Sequence, residues 1–165
     1  MSGHVLLIGV AVGILTTLTS DIGAVVGLRL GIAGRGPRRS GPDLIGRWVG
    51  YMFRGIFKHT DILKTPALPG ELPLGIVAHY LIGIALTFLY LIILLGAQAR
   101  PSLLTAVIYG LATIMFPWFI MFPSQGMGWL GLGAPRDTHM VRMSLFNHLM
   151  FGIGLALWTG VLKPL

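Results

Sequence analysis

Four long apolar runs are the feature that most constrains what this chain can fold into. They cover approximately residues 3–28, 72–97, 102–122 and 142–162, and each is long enough to cross the roughly 30 Å hydrocarbon layer of a bilayer as an α-helix. Only 10% of the residues are charged, against about 25% in soluble domains. The first run has no basic flank and no cleavage site, so we expect it to remain as a helix. The sequence predicts an all-α, four-span transmembrane bundle that forms a single domain.

Basic residues are concentrated in two of the connections between the runs. The first connection carries eight of the 12 Lys and Arg residues: Arg29, Arg35, Arg38, Arg39, Arg47, Arg54, Lys58 and Lys64. The third connection carries Arg136 and Arg142, and the other side of the membrane has Arg100 and Lys163. The positive-inside rule predicts that both basic connections are cytoplasmic and that both termini lie outside the cytoplasm. This topology accounts for the net charge of +7, and we expect no nucleic-acid partner.

Residues 43–58, in the first connection, have the pattern of an amphipathic helix. One face carries Asp43, Arg47, Gly50, Arg54 and Lys58, and the other carries Leu44, Ile45, Trp48, Val49, Met52, Phe53 and Ile56. This pattern predicts an interfacial helix on the cytoplasmic leaflet, where Arg47, Trp48, Arg54 and Lys58 contact lipid and the cations attract anionic headgroups. The alternative is that the segment packs under the bundle as a lid, without lipid specificity.

Asp21, His79 and His148 lie in three separate runs but at a similar predicted depth. Each is about six to eight residues from the cytoplasmic end of its run, or roughly 10 Å at 1.5 Å per residue. Ionisable side chains at this depth are costly unless they face one another, a ligand or water. We expect them to bind a ligand such as a proton or a divalent metal ion. The alternative is that Asp21 and one histidine form a hydrogen-bonded pair that fixes helix packing.

A short repeat links the two histidines. Residues 79–86 and 148–155 both read H-x-x-x-G-I-small-L, in runs that cross the membrane in the same direction. This pattern suggests two helical hairpins related by a pseudo-twofold axis along the membrane normal. Such an axis would bring His79 and His148 towards each other, although coincidence stays open because Gly and Leu are common in membrane spans.

Other candidate residues lie near these runs. Glu71 precedes the second run, where we expect it to cap the helix or to contribute to a ligand site or gate. Pro117 interrupts the third run and should free the carbonyl of residue 113. His59 and His139 are interpreted as solvated loop residues.

The chain resembles a family of small bacterial inner-membrane proteins, the domain of unknown function 2938 family. The residues that carry the resemblance are Asp21, Arg47-Trp48-x-Gly50, His59, Gly70-Glu71-x-x-Leu74-Gly75, His79-Tyr80, Arg100-Pro101, Pro117, Pro123, Arg142 and His148-x-x-x-Gly152-x-Gly154. The resemblance covers nearly the whole chain and implies a four-span protein of the bacterial inner membrane without an assigned activity. It implies that the family's recurring Asp, Glu and His correspond to Asp21, Glu71, His79 and His148.

Three classes of function stay open. In the first, the protein is non-enzymatic and binds or passes a proton or divalent cation at its His/Asp site. In the second, the histidine pair binds haem b or a quinone. In the third, the protein is an accessory subunit that packs against a larger membrane complex or against further copies of itself. Enzymatic hydrolysis has the least support, because no nucleophile and base occur together in a recognised catalytic motif.

Overall fold

The computed structural model describes residues 3–32, 41–134 and 139–164, and within these ranges the protein is helical without strands. Its helices are α1 (Gly3–Arg29), α2 (Pro42–Met52), α3 (Glu71–Gly96), α4 (Leu103–Ala112), α5 (Phe122–Ser124) and α6 (Met140–Leu162), with a π-helical segment at Pro117–Met121 and a 3₁₀ turn at Trp129–Gly131. Arg35, Arg38, Arg39 and Arg136, which contributed to the topology prediction, lie outside the described residues.

Four helical segments are long and apolar enough to cross a membrane. They are Gly3–Arg29, Glu71–Gly96, Leu103–Ser124 and Met140–Leu162, and their bounds differ from the predicted runs by two residues at most. The third segment joins α4, the π-helical segment and α5. The prediction of an all-α fold with four helices long and apolar enough to span a membrane is therefore confirmed.

Glycines set the close contacts between the spans. A Cβ at Gly83 of α3 would lie 3.2 Å from Thr17 Cβ of α1, and one at Gly152 of α6 would lie 2.8 Å from Val107 Cα of α4. The two glycines of the sequence repeat thus lie at equivalent contacts, each between a span and the span that precedes it. Helix α1 also packs along α6. Small residues at these crossings allow the backbones to approach closely.

The third span is broken at Pro117. Helix α4 ends at Ala112, and the chain continues through a turn into the π-helical segment. Proline has no N–H to donate to residue 113. The Thr113 carbonyl instead accepts a hydrogen bond from N of Phe116, three residues further on, at 3.1 Å. The predicted interruption is therefore present, and it places Phe116, Pro117 and Met121 beside a cavity between the helices.

Helix α2 is shorter than predicted and is packed against the rest of the protein. It ends at Met52, so residues 53–58 are turn and coil rather than helix. Trp48 is 4% exposed and the Arg47 side chain 11% exposed, so neither lies on the lipid-facing surface that the sequence predicted. A Cβ at Gly75 of α3 would lie 2.8 Å from Gly46 N, which shows how closely α2 packs on α3. Arg54 and Lys58 are exposed, and their contact with lipid stays a prediction.

Candidate functional site

A cavity of about 190 Å³ lies between the spans and α2. Its polar lining consists of Thr17, Ser20, His79, Thr113, Gln125, Ser144, Asn147 and His148. Its apolar lining includes Leu44, Ile45, Ile82, Leu86, Phe116, Pro117, Met121, Phe122, Met140, Met143 and Phe151. None of these described lining residues is Asp, Glu, Lys or Arg. The cavity therefore presents hydrogen-bonding groups and two imidazoles in a mostly apolar wall.

Asp21 and His79 are paired on one side of this cavity. Nε2 of His79 lies 2.9 Å from Oδ1 of Asp21, and the hydroxyl of Tyr80 donates to Oδ2 of Asp21 at 3.1 Å. The two oxygens of the Asp21 carboxyl group thus have separate partners from α3. The Asp21 and His79 side chains are 41% and 34% exposed, so the pair extends from the cavity wall to the outer surface of α1 and α3.

His148 has a different partner. Its Nδ1 lies 2.7 Å from Oγ1 of Thr113, and the same hydroxyl donates to the Gly110 carbonyl at 2.6 Å. A threonine hydroxyl has one proton, and a carbonyl can only accept. The proton in the bond between His148 and Thr113 must therefore come from Nδ1 of His148. In the neutral ring, Nε2 is then an acceptor.

The predicted layer is thus assembled in part. His79 and His148 line the same cavity. Asp21 does not line it but contacts His79. This contact is the one expected in the alternative in which Asp21 and one histidine form a hydrogen-bonded pair that fixes helix packing. Within residues 3–32, 41–134 and 139–164, no group of three or more His, Asp or Glu side chains is close enough together to hold a metal ion. The arrangement of Asp21, His79 and His148 therefore does not provide a preformed three-ligand metal site.

Glu71 belongs to a separate structural contact. Its two carboxylate oxygens accept hydrogen bonds from Nε and Nη2 of Arg47 at 2.9 and 2.8 Å, and Oε2 also accepts one from Leu68 N at 2.8 Å. The hydrogen bond to Glu71 raises the pKa of Arg47 above its ordinary value. This two-point ion pair joins α2 to the start of α3. Glu71 forms this ion pair and does not line the cavity.

His59 is buried rather than solvated as predicted. It is 6% exposed, its Nδ1 lies 3.2 Å from Oγ1 of Thr65, and its ring meets that of Tyr51 edge-on at 5.2 Å between centroids. Its backbone N–H donates to the Ser124 carbonyl at 2.7 Å. Burial lowers the pKa of His59 below its ordinary value. The coil after α2 is therefore packed against the end of the third span.

Sequence reasoning missed two polar residues of the cavity, Gln125 and Asn147. Gln125 is 1% exposed, and its Nε2 has no hydrogen-bond partner in the described part of the chain; the same holds for Oδ1 of Asn147. The available signal was that Asn147 precedes His148 and that Gln125 ends an apolar span. The sequence could not show whether these amides have partners, because that depends on tertiary contacts.

These features define an all-helical, multi-pass membrane protein with a partly polar cavity between its spans. A family model described as a protein of unknown function (DUF2938) matches residues 10–162 of the chain. The chain therefore belongs to the DUF2938 family. No curated protein and no solved structure matches it.

Proposed function

We propose that this protein is a non-enzymatic integral membrane protein that binds a proton on its Asp21–His79 pair. The observation that supports this function is the 2.9 Å contact between the carboxylate and the imidazole, inside two apolar spans and beside the cavity. Ionisable groups at such depth cost about 3 kcal/mol or more each unless they are paired. A pair that shares a proton avoids most of this cost, and histidine changes its charge near neutral pH.

The geometry favours a proton over the other ligands. Nε2 of His79 already contacts Asp21, so this ring could ligate a metal only through Nδ1 or after that contact breaks. No third carboxylate or imidazole completes a metal site among the described residues. A haem ligated by both rings would likewise have to displace the contact of His79 Nε2 with Asp21 or use Nδ1 of that ring.

The proton site couples α1 to α3. With the proton on His79, the pair is an imidazolium and a carboxylate; with the proton on Asp21, it is an imidazole and a carboxylic acid. Loss of the shared proton leaves a carboxylate that keeps the Tyr80 hydroxyl as a donor. The Asp21–His79 pair joins α1 to α3, and Gly83, one turn further along α3, contacts Thr17 of α1. Proton uptake by the pair therefore changes the force that holds these two spans together.

We further propose that the protein lies in a bacterial inner membrane, with both termini outside the cytoplasm. The described basic residues Arg54, Lys58 and Lys64, in the α2–α3 connection, and Arg142, in the first turn of α6, support this orientation, because the positive-inside rule assigns this side to the cytoplasm. The proton site and α2 then lie towards the cytoplasmic side.

Infrared difference spectroscopy of the protein in lipid tests the proton site directly. Spectra recorded at about pH 8 and about pH 5 cover the range in which histidine titrates. We expect Asp21→Asn to remove one carboxyl band and also to alter an imidazole band, and His79→Gln to alter the same carboxyl band. A shared proton requires this reciprocal effect.

Asp61→Asn is the matched control, because Asp61 lies in the α2–α3 connection and pairs with Lys64 at 3.3 Å. It should remove its own carboxyl band without altering the imidazole bands. Imidazole bands that stay unchanged in Asp21→Asn, or a wild-type spectrum without a titrating pair, would overturn the proposal.

The exposure of the pair also favours a second candidate function, assembly with further copies or with another membrane protein. A carboxylate side chain that is 41% exposed within an apolar span is costly against lipid. A neighbouring helix that covers Asp21 and His79 would remove that cost. Native mass spectrometry from a mild detergent tests this: an oligomer that dissociates in Asp21→Leu supports assembly, and a monomeric wild-type protein contradicts self-assembly.

A further inference from the structure

Six consecutive residues after α2, residues 53–58, are exposed although three of them are large and apolar. Phe53 is 80% exposed, Phe57 63% and Ile56 44%. Contiguous apolar side chains are unfavourable in water, so an exposed patch of this kind marks a contact surface. We call these six residues the 53–58 segment.

The 53–58 segment is a hydrogen-bonded turn. N of Gly55 donates to the Met52 carbonyl at 2.9 Å, and N of Ile56 donates to the Tyr51 carbonyl at 3.0 Å. Gly55 has a φ of +79°. These two hydrogen bonds and the left-handed glycine form a Schellman motif, a common way for a helix to end. The backbone of the segment is therefore set, and both of its phenylalanines are held at the surface.

Hydrogen bonds place this segment at the ends of two spans. The backbone N–H of His59, the residue after the segment, donates to the Ser124 carbonyl at the end of the third span, at 2.7 Å. Arg47, in α2, pairs with Glu71 at the start of α3, at 2.8 Å. The segment therefore lies where the apolar spans end and the headgroup region of a bilayer begins, a level at which aromatic rings are favoured.

Two cations of the segment form no ion pair with the described Asp and Glu side chains. They are Arg54 and Lys58, and both are exposed. By contrast, Lys64 of the same connection lies 3.3 Å from Asp61. The cations alternate with the rings in the order Phe-Arg-x-x-Phe-Lys. In this order the rings can enter the apolar layer while the cations reach the headgroups.

We propose that the 53–58 segment binds an anionic phospholipid of the surrounding bilayer. Arg54 and Lys58 supply the positive charge that attracts the headgroup, and Phe53 and Phe57 pack beside the acyl chains. A lipid fits this surface better than a partner protein, because the segment adjoins the ends of spans that the bilayer already surrounds. The inference does not depend on the proposed proton site.

Native mass spectrometry of the full chain in mild detergent tests this inference. The probes are phosphatidylglycerol, which is anionic, and phosphatidylcholine, which is zwitterionic, with identical acyl chains. Each cation near the membrane surface strengthens the attraction of anionic lipid by a factor of about 5. We therefore expect the wild type to bind its first phosphatidylglycerol more tightly than its first phosphatidylcholine by a factor of about 5 to 25.

Arg54→Gln and Lys58→Gln should each reduce this preference, and the double variant should bind both lipids equally. Phe53→Ser combined with Phe57→Ser should weaken the binding of both lipids and keep the preference. All four positions are exposed, so these variants should melt at the wild-type temperature. The matched control is Arg100→Gln, at an exposed position in the α3–α4 connection, which should retain the preference.

Four results would overturn the inference. Equal binding of both lipids by the wild type would mean that the segment does not select anionic headgroups, and would favour a protein partner. A preference that persists in the double cation variant would place the anionic lipid elsewhere on the protein. Lipid binding unchanged by the two serine substitutions would show that the phenylalanines do not contact acyl chains. A preference that is also lost in Arg100→Gln would show that net charge attracts the lipid.

Discussion

Arg47 holds Glu71 at two points and thereby fixes α2 against the start of α3. Besides the two hydrogen bonds to the carboxylate, Nη1 of Arg47 donates to the carbonyls of Ile62 and Thr65 at 3.1 and 3.0 Å. One guanidinium therefore joins three parts of the chain: α2, the α2–α3 connection and α3. The side chains of both residues are largely buried, at 11% and 14% exposure, so solvent screens this pair less than a surface pair.

Replacing Arg47 by Lys should destabilise the protein although the charge is kept. Lysine cannot reproduce the planar fork that binds the carboxylate and two carbonyls at once. We expect a loss of about 1.5–3 kcal/mol, the usual contribution of a hydrogen bond to a charged group, measured as the free energy of unfolding in mixed detergent. Arg54→Lys, at an exposed position on the same segment, should have little effect. Equal stability of the two variants would show that Arg47 acts as a simple charge.

His59 should make stability depend on pH. Burial lowers the pKa of His59 in the folded protein below its ordinary value of 6.5, so the unfolded chain binds more protons just below pH 6.5. Stability is therefore highest above this pH and falls as the pH decreases towards the folded pKa. The variant His59→Gln should show a flatter decline in melting temperature between about pH 7 and about pH 5. His4→Gln, on the exposed start of α1, serves as control, and a decline unchanged by His59→Gln would contradict the prediction.

The sequence predicts the spans and part of the site, but not the partners of the polar residues. Apolar runs fix the helix bounds because only a helix satisfies the backbone in lipid. Counting residues from the span ends predicted to be cytoplasmic brought Asp21 and His79 to one depth, and they are indeed paired. The pattern of α2 could not reveal that Arg47 faces Glu71. An amphipathic period shows that one face of a helix is polar, but it does not show which residues that face contacts.

Two features of the site could not be read from the sequence. Depth alone groups His148 with Asp21, whereas rotation of α6 turns its ring to Thr113. Gln125 is a single amide at the end of an apolar span, and only the packing of the coil after α2 shows that it is buried. Both features depend on how the helices rotate about their axes, which hydropathy does not specify when a span is apolar on all sides.

Thr113 should position the ring of His148. In Thr113→Val, Nδ1 of His148 loses its acceptor while the shape of the side chain is nearly kept. Leaving a buried donor unpaired costs about 1–3 kcal/mol, so we expect a corresponding loss in the free energy of unfolding. Thr113→Ser retains the hydroxyl and should recover most of the stability. A valine variant as stable as the serine variant would show that the contact does not orient His148.

The proposed orientation can be tested by single-cysteine labelling, because the chain has no cysteine of its own. Lys64 and Ala99 are exposed and lie in the α2–α3 and α3–α4 connections. We expect a membrane-impermeant maleimide added to intact cells to label Ala99→Cys and to leave Lys64→Cys unlabelled until the membrane is permeabilised. The reverse pattern would invert the topology and would move the Asp21–His79 pair to the outer side.

Gly152 should be the glycine of α6 that tolerates alanine least. A Cβ there would lie 2.8 Å from Val107 Cα and 2.9 Å from the Ala106 carbonyl oxygen, and backbone atoms cannot rotate away as a side chain does. Overpacking of this kind costs about 1–3 kcal/mol, so Gly152→Ala should separate α6 from α4 and lower the melting temperature. Gly160→Ala is the matched control, since a Cβ at Gly160 meets nothing within 4 Å and alanine favours the helix. If both variants melt at the same temperature, the close contact between α4 and α6 does not contribute to stability.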